Sequence, residues 1–182
     1  MGTGAAGKWH SDITEFRIPA GTVYLSPRID CFDSMVVSWS IGTRPNAELV
    51  NTMLDAAIDK VAATGERPLE HSDRGGHYRW PGWLARIAEA KLGRSMSRKG
   101  CSPDNAACEG FFGRLKTEMF FSRDWLSTTI DEFVAAVDAG VRTISWTTWR
   151  VVHVFIRGPA SSRAALHQAG QASWQVNVQP WS

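Results

Sequence analysis

The sequence of 182 residues is poor in cysteine and has no long apolar run. Its three cysteines, Cys31, Cys101 and Cys108, form no CxxC pair and leave an odd number, so neither a disulfide framework nor a cysteine zinc site is indicated. We expect three reduced thiols. No apolar stretch approaches the roughly 18 residues that a membrane span needs, and residues 1–8 lack the apolar segment of a signal peptide. We therefore expect a cytoplasmic protein with no membrane partner.

The net charge is small, at +2, because 20 Lys and Arg residues face 18 Asp and Glu residues. Their distribution is uneven, since residues 74–100 contain seven basic residues and a single acid, Glu89. A basic segment beside an acidic remainder suits a protein that holds a polyanion and presents carboxylates to metal ions. A solvated helix face followed by a basic loop would explain the same charges, so the charge pattern alone leaves both interpretations open.

Acidic residues are absent from the end of the chain. All 18 acids lie at or before Asp138, and residues 143–182 contain no Asp, Glu or Lys. This segment holds four of the nine tryptophans and has neither a sustained helical period nor clear turn residues. We therefore expect residues 143–182 to form an atypical, poorly ordered tail.

The apolar pattern in the rest of the chain predicts a mixed sheet with helices. Alternating residues typical of strands occur at 9–16, 22–29 and 35–41, and short extended segments at 68–72 and 94–97. Helices are predicted from an N-cap at Asn46 to Gly65, over 81–92, from Ser102 onwards, and from a capping box of Thr129 and Glu132. The predicted fold is α/β, with a mixed five-stranded sheet of three antiparallel strands followed by parallel strands, and with helices on both faces.

Three acids occupy positions where a structural role is not obvious. Asp12 lies inside a predicted strand, which disfavours Asp, and Asp73 follows a buried strand, where ligands of α/β sheets collect. Glu109 lies beside the apolar stripe of a predicted helix. Converging carboxylates can hold the two divalent ions that assist phosphodiester displacement. A strand Asp more often caps a turn or pairs with a base, and a helix Glu is usually solvated, so spacing alone does not decide between these roles.

Four segments carry a resemblance to a known family. They are WHSDITEF (9–16), VYLSPRIDCFDSMVVSWSIG (23–42), HSDRGGHY (71–78) and RSMSRKGCSPDNAACEGFFGRLKTE (94–118). These segments resemble the catalytic core of bacterial insertion-sequence transposases of the OrfB type, which are relatives of the retroviral integrases. The resemblance implies a ribonuclease H-like fold and a metal-binding Asp-Asp-Glu triad. The 35 residues between Asp73 and Glu109 match the separation in this group.

The resemblance implies roles for individual residues and for partners. Asp12, Asp73 and Glu109 become both the catalytic residues and the ligands of two Mg²⁺ or Mn²⁺ ions, with no small-molecule cofactor. Lys116 matches a basic residue that contacts DNA seven positions after the Glu, and Arg74, Arg98 and Lys99 would contact the DNA backbone. The implied partners are transposon ends and target DNA, with a homo-oligomer assembled on the DNA. The location would be the bacterial cytoplasm, at the nucleoid when the protein is bound to DNA.

The sequence departs from the family pattern at both ends. A DNA-binding helix-turn-helix region usually precedes the core, whereas 11 residues precede Asp12 here, and the Tyr-Asn and Ser-Pro motifs are missing after Val141. We expect an N-terminally truncated chain with a flexible segment at 1–8, a catalytic core at 9–142 and a tail at 143–182, whose composition fits a reading-frame shift near Arg142. The alternatives are a non-catalytic remnant that binds DNA weakly or interferes with an intact transposase, and a nuclease of the same fold.

Overall fold

The computed structural model describes residues 7–62, 68–72, 76–96, 106–150 and 177–178. The strands in this part are β1 (Lys8–Ser11), β2 (Thr14–Ile18), β3 (Gly21–Asp30), β4 (Val36–Gly42), β5 (Leu69–Ser72), β6 (Gly93–Met96) and β7 (Asn177–Val178). The helices are α1 (Ala47–Ala62), α2 (Pro81–Glu89), α3 (Ala106–Leu115) and α4 (Ile130–Arg150). A 3₁₀ turn covers Gly76–Arg79, and a π-helical turn at Lys116–Phe120 continues α3.

The described strands form one mixed sheet, as predicted, in the order β6-β5-β1-β3-β4-β7, with β2 paired to β3. The β1–β3, β2–β3 and β3–β4 pairs are antiparallel, whereas β1–β5, β5–β6 and β4–β7 are parallel. Strand β1 therefore lies between an antiparallel and a parallel neighbour. This position makes β1 the junction between the early meander and the later parallel strands.

The described part has seven strands instead of the five expected. One difference is the short β7, which pairs with β4. The other is a break in the first predicted strand, which divides into β1 and β2 at Asp12 and Ile13. The remaining strands lie within a residue or two of their predicted ends, because their alternation and their turn residues are local signals.

Helices cover both faces of the sheet, which confirms the predicted layers. One apolar cluster joins the strands to α3, the π-helical turn and α4, and its fully buried members include Phe16, Leu25 and Phe133. A separate cluster joins Trp9 of β1 to α1 and α2, and it includes the fully buried Trp83. Each face of the sheet therefore has its own buried core.

Two helix starts follow their capping residues as predicted. Asn46 precedes α1, and its Oδ1 accepts a hydrogen bond from the Leu49 backbone N–H at 3.0 Å. Before α4, the Thr129 N–H donates to Glu132 Oε2 at 2.9 Å and the Glu132 N–H donates to Thr129 Oγ1 at 3.3 Å. This reciprocal pair is the predicted capping box.

Both predicted domain boundaries fall inside regular structure, so neither coincides with the end of an element. Strand β1 begins at Lys8, inside the predicted flexible segment, and Gly7 O accepts a hydrogen bond from the Leu69 N–H at 2.8 Å. Helix α4 continues through Arg142 to Arg150, and Ile144 is buried. Almost all of the tail beyond this helix lies outside the described residues. Its poor order and a change of reading frame near Arg142 therefore stay predictions. None of the described helices is long and apolar enough to cross a membrane.

Candidate active site

Asp12 lies directly after β1 rather than inside a strand, so the prediction that placed it within one is wrong. It occupies the two-residue break between β1 and β2 and is half-buried. Its Oδ1 accepts a hydrogen bond from the Ile13 backbone N–H at 2.8 Å. The short Asp side chain competes with the neighbouring strand for backbone donors, which explains why the strand breaks here.

The strand that leads to Asp12 pairs with the strand that leads to Asp73. Strands β1 and β5 are parallel neighbours, and their last paired residues are Ser11 and Ser72. Asp12 and Asp73 are the residues that follow these two in the sequence. Asp73 itself lies outside the described residues, and its assignment stays a prediction.

Helix α3 reaches β1 through Cys108. This side chain is fully buried, and its Sγ lies 3.9 Å from the backbone oxygen of His10, two residues before Asp12. Burial raises the pKa of the Cys108 thiol, and the charges of Asp12, Cys31, Glu70 and Glu109 raise it further. Cys108 therefore packs α3, which carries Glu109 as its next residue, against the strand that leads to Asp12.

The chemistry of these donors suits a hard divalent cation. Asp12 is half-buried, Glu109 is exposed, and carboxylate oxygens are the ligands that Mg²⁺ and Mn²⁺ prefer. Cys108 is unsuited to be a ligand, because its raised pKa keeps the thiol protonated and thiolates are the form that binds metals. In the described part of the chain, no three His, Cys, Asp or Glu side chains are grouped so that they could hold a metal ion. Asp73, the third predicted ligand, lies outside that part.

Of the predicted DNA-contacting residues, the described part contains only Lys116. It begins the π-helical turn after α3, is half-buried, and its Nζ lies 5.9 Å from the centre of the Phe16 ring. The ammonium group therefore lies over β2, the strand that follows Asp12. The other three, Arg74, Arg98 and Lys99, lie outside the described residues and stay predictions.

Two histidines lie side by side on the strands that lead to the acids. His10 and His71 are register partners in β1 and β5, both are buried, and their ring centres are 5.4 Å apart. The His71 Nδ1 lies 3.1 Å from Ser95 Oγ on β6. These contacts make His71 a packing and hydrogen-bonding residue of the sheet.

A buried ion pair connects β3 and β5 across β1, and sequence reasoning missed it. Arg28 Nη2 lies 2.9 Å from Glu70 Oε2, and both side chains are 0% exposed. Burial lowers the pKa of Arg28 and raises the pKa of Glu70, and each shift is opposed by the charge of the partner. A Glu inside the short apolar strand β5 was a signal in the sequence, because such an acid needs a buried partner.

Comparisons with known proteins agree with this fold. The model of the integrase core domain family matches residues 2–102, a range that contains Asp12 and Asp73 and ends before Glu109. The chain is 56% identical over 161 residues to a probable transposase for insertion sequence element IS1353 of Shigella flexneri, a match that covers 87% of this chain and 30% of that protein. It is 44% identical over 114 residues to the putative transposase InsK for insertion sequence element IS150 of Escherichia coli K12, covering 63% of this chain and 40% of that protein.

Among solved structures, the HTLV-2 integrase catalytic core domain in complex with magnesium aligns with a TM-score of 0.55. The sequence identity is 14%, and the alignment covers 76% of this chain and 85% of that chain. The fold is therefore the ribonuclease H-like fold of integrase catalytic cores. With more than half of its residues matched by the family model, the chain belongs to the integrase core domain family.

The share of the curated relatives that this chain covers is limited. It spans 30% and 40% of the lengths of the two insertion-sequence transposases. The match to the Shigella flexneri protein extends past Arg142 wherever it begins, because it covers 87% of the chain. Similarity to an insertion-sequence transposase therefore continues beyond the predicted end of the core.

Proposed function

We propose that this chain is the catalytic core of a DNA transposase, which carries out metal-dependent phosphodiester cleavage and strand transfer. The observation that supports this most directly is the parallel pairing of β1 and β5 up to Ser11 and Ser72. Asp12 and Asp73 follow these residues in the sequence, and α3 carries Glu109 next to the residue that packs on β1. Membership of the integrase core domain family supports a catalytic role for this arrangement.

Asp12, Asp73 and Glu109 would hold two Mg²⁺ or Mn²⁺ ions. Such ions, when bound, activate the attacking oxygen of water or a 3′-hydroxyl and stabilise the leaving oxygen. The protein itself supplies the carboxylates and a backbone hydrogen bond to the first of them. The Ile13 N–H, which donates to Asp12 Oδ1, orients that carboxylate relative to β1. A dedicated histidine base is not required by this chemistry.

DNA is the proposed partner, both as transposon ends and as target. Lys116 would contact a phosphate beside the reacting site, together with Arg74, Arg98 and Lys99. Contacts of this kind position DNA without reading its sequence. We further propose that the protein acts as a homo-oligomer assembled on DNA, at the nucleoid of a bacterial cell.

The DNA contact has its own test. The logarithm of the DNA association constant falls linearly with the logarithm of the salt concentration. If Lys116 neutralises one phosphate, Lys116→Ala should make this slope shallower by about 1. Arg44, exposed in the segment between β4 and α1, supplies the control Arg44→Ala, which should leave the slope unchanged. Equal slopes for both variants and the unsubstituted chain would remove Lys116 from the contact.

The catalytic proposal is tested by incubating the full chain with labelled DNA that carries insertion-sequence ends, in the presence of Mg²⁺ or Mn²⁺. We expect metal-dependent cleavage and joining that Asp73→Asn abolishes. Unchanged turnover in Asp73→Asn would refute the assignment of the triad. DNA binding without turnover would instead identify the non-catalytic remnant, and hydrolysis without joining would identify a nuclease.

A further inference from the structure

We infer that the buried pair Arg28–Glu70, together with Ser11, is a positioning device that fixes the strand ends from which Asp12 and Asp73 extend. Arg28 lies on β3, Ser11 on β1 and Glu70 on β5, so the three residues connect three neighbouring strands. The inference rests on the proposed function, because it assigns the device to the metal-binding acids of that function.

The contacts of Arg28 include the last residue of β1. Arg28 is the register partner of Ser11, the last residue of β1, and its Nε donates a hydrogen bond to Ser11 Oγ at 3.2 Å. The same guanidinium meets Glu70 at 2.9 Å on the far side of β1. Neighbouring strands are about 4.8 Å apart, so the Arg28 and Glu70 side chains together span the roughly 10 Å of sheet between β3 and β5. The guanidinium therefore ties Asp12's neighbour to a residue three positions before Asp73.

The guanidinium has little freedom to move. Its central carbon lies 5.1 Å from the centre of the Trp9 ring and 5.4 Å from the centre of the Trp83 ring. Trp83 belongs to α2, the helix on this face of the sheet, and is fully buried. The register between β3 and β4 also shifts between Arg28 and Ile29, and irregularities of this kind redirect side chains. Two aromatic rings and a hydroxyl therefore define one orientation of the charged group.

Stability alone does not account for this pair. Replacing a buried ion pair with apolar residues of similar volume is often neutral or stabilising, because both charges lose their hydration. The fold could therefore use an apolar pair at Arg28 and Glu70. What an apolar pair could not supply is the directed hydrogen bond to Ser11 beside Asp12. Substitution of residues that orient the metal ligands, without binding the metal themselves, commonly changes metal affinity by about 10- to 100-fold.

The test measures Mn²⁺ binding by calorimetry and thermal melting without metal, both on the full chain. The variants are Ser11→Ala, the double apolar substitution Arg28→Met with Glu70→Leu, and Asp12→Asn. Ser40→Ala is the matched control, because Ser40 is also fully buried and its hydroxyl donates to Leu49 O at 2.5 Å on a strand that carries no acid. We expect Ser11→Ala and the double variant to melt within a few degrees of the unsubstituted chain but to bind Mn²⁺ about 10-fold or more weakly. Ser40→Ala should bind it as tightly as the unsubstituted chain.

The outcomes separate the two levels of the proposal. If the unsubstituted chain binds Mn²⁺ and Asp12→Asn abolishes binding, but Ser11→Ala and the double variant bind within twofold of the unsubstituted chain, the positioning role alone is overturned. If the unsubstituted chain does not bind Mn²⁺, or Asp12→Asn changes nothing, the proposed metal site fails and the positioning role fails with it. Should the double variant not fold, Ser11→Ala decides, because it removes only one hydroxyl.

Discussion

Removing one charge of the Arg28–Glu70 pair should destabilise the protein far more than removing one charge of a surface pair. In Glu70→Gln, the Arg28 guanidinium stays 0% exposed but loses the carboxylate that lies 2.9 Å away. Breaking a buried pair in this way costs about 3–5 kcal/mol, because the remaining charge is neither hydrated nor compensated. For a chain of this size, that loss lowers Tm by about 6–20 °C. The Trp9 and Trp83 rings still face the guanidinium, which favours the lower part of this range.

Arg86 and Asp55 provide the matched comparison. Their atoms lie slightly closer together, at 2.7 Å, but the side chains are 35% and 50% exposed. Asp55→Asn should therefore cost about 0.2–1 kcal/mol. Urea unfolding, followed by circular dichroism, would measure all variants, with Arg28→Met combined with Glu70→Leu expected within about 1 kcal/mol of the unsubstituted chain. A loss below 1 kcal/mol in Glu70→Gln, equal to that of Asp55→Asn, would refute the reasoning.

Two further predictions concern the helices on the other face of the sheet. A Cβ on Gly140 would lie 2.9 Å from Leu115 Cδ1 in the core, whereas a Cβ on Gly113 would meet nothing within 4 Å. Gly113→Ala should therefore stabilise the fold by about 0.5–1 kcal/mol, and Gly140→Ala should destabilise it by about 1–2 kcal/mol. Urea unfolding would measure both variants, and stabilisation by both would contradict the packing described. Hydrogen bonds from Thr129 hold the pKa of Glu132 below its ordinary value of 4.5, so the carboxylate stabilises the fold above that pH, and its contribution is lost as the pH falls through the lowered pKa. Melting curves of Glu132→Gln and the unsubstituted chain should differ at pH 7 and converge in acid, and a constant difference would count against the capping box.

Local signals explain which parts of the fold could be predicted from the sequence. The cap at Asn46 and the box at Thr129 each depend on residues within three positions, so the sequence contains all the information they need. The break at Asp12 was missed because alternation continues from 9 to 16 across both strands. A single polar residue that captures the next backbone N–H does not interrupt such a pattern.

Tertiary contacts explain what the sequence could not show. Arg28 and Glu70 lie 42 positions apart in the chain, and their contact depends on the order β5-β1-β3 and on the register of both pairs. Alternation predicts which face a side chain occupies but not which strand is its neighbour. The candidate acids could be selected only through the resemblance, because as single carboxylates they resemble caps and solvated groups.

The most direct test of the central claim is a calorimetric Mn²⁺ titration of the full chain beside Asp12→Asn, Asp73→Asn and Glu109→Gln. The control is Glu118→Gln, an exposed acid further along from Glu109 that pairs with Arg114 at 3.0 Å. We expect the unsubstituted chain and the control to bind Mn²⁺, with melting stabilised by about 2.7 kcal/mol at a hundredfold excess over Kd. Each of the three triad substitutions should weaken or abolish that binding. Equal Mn²⁺ binding in all five proteins would contradict a metal site shared by Asp12, Asp73 and Glu109.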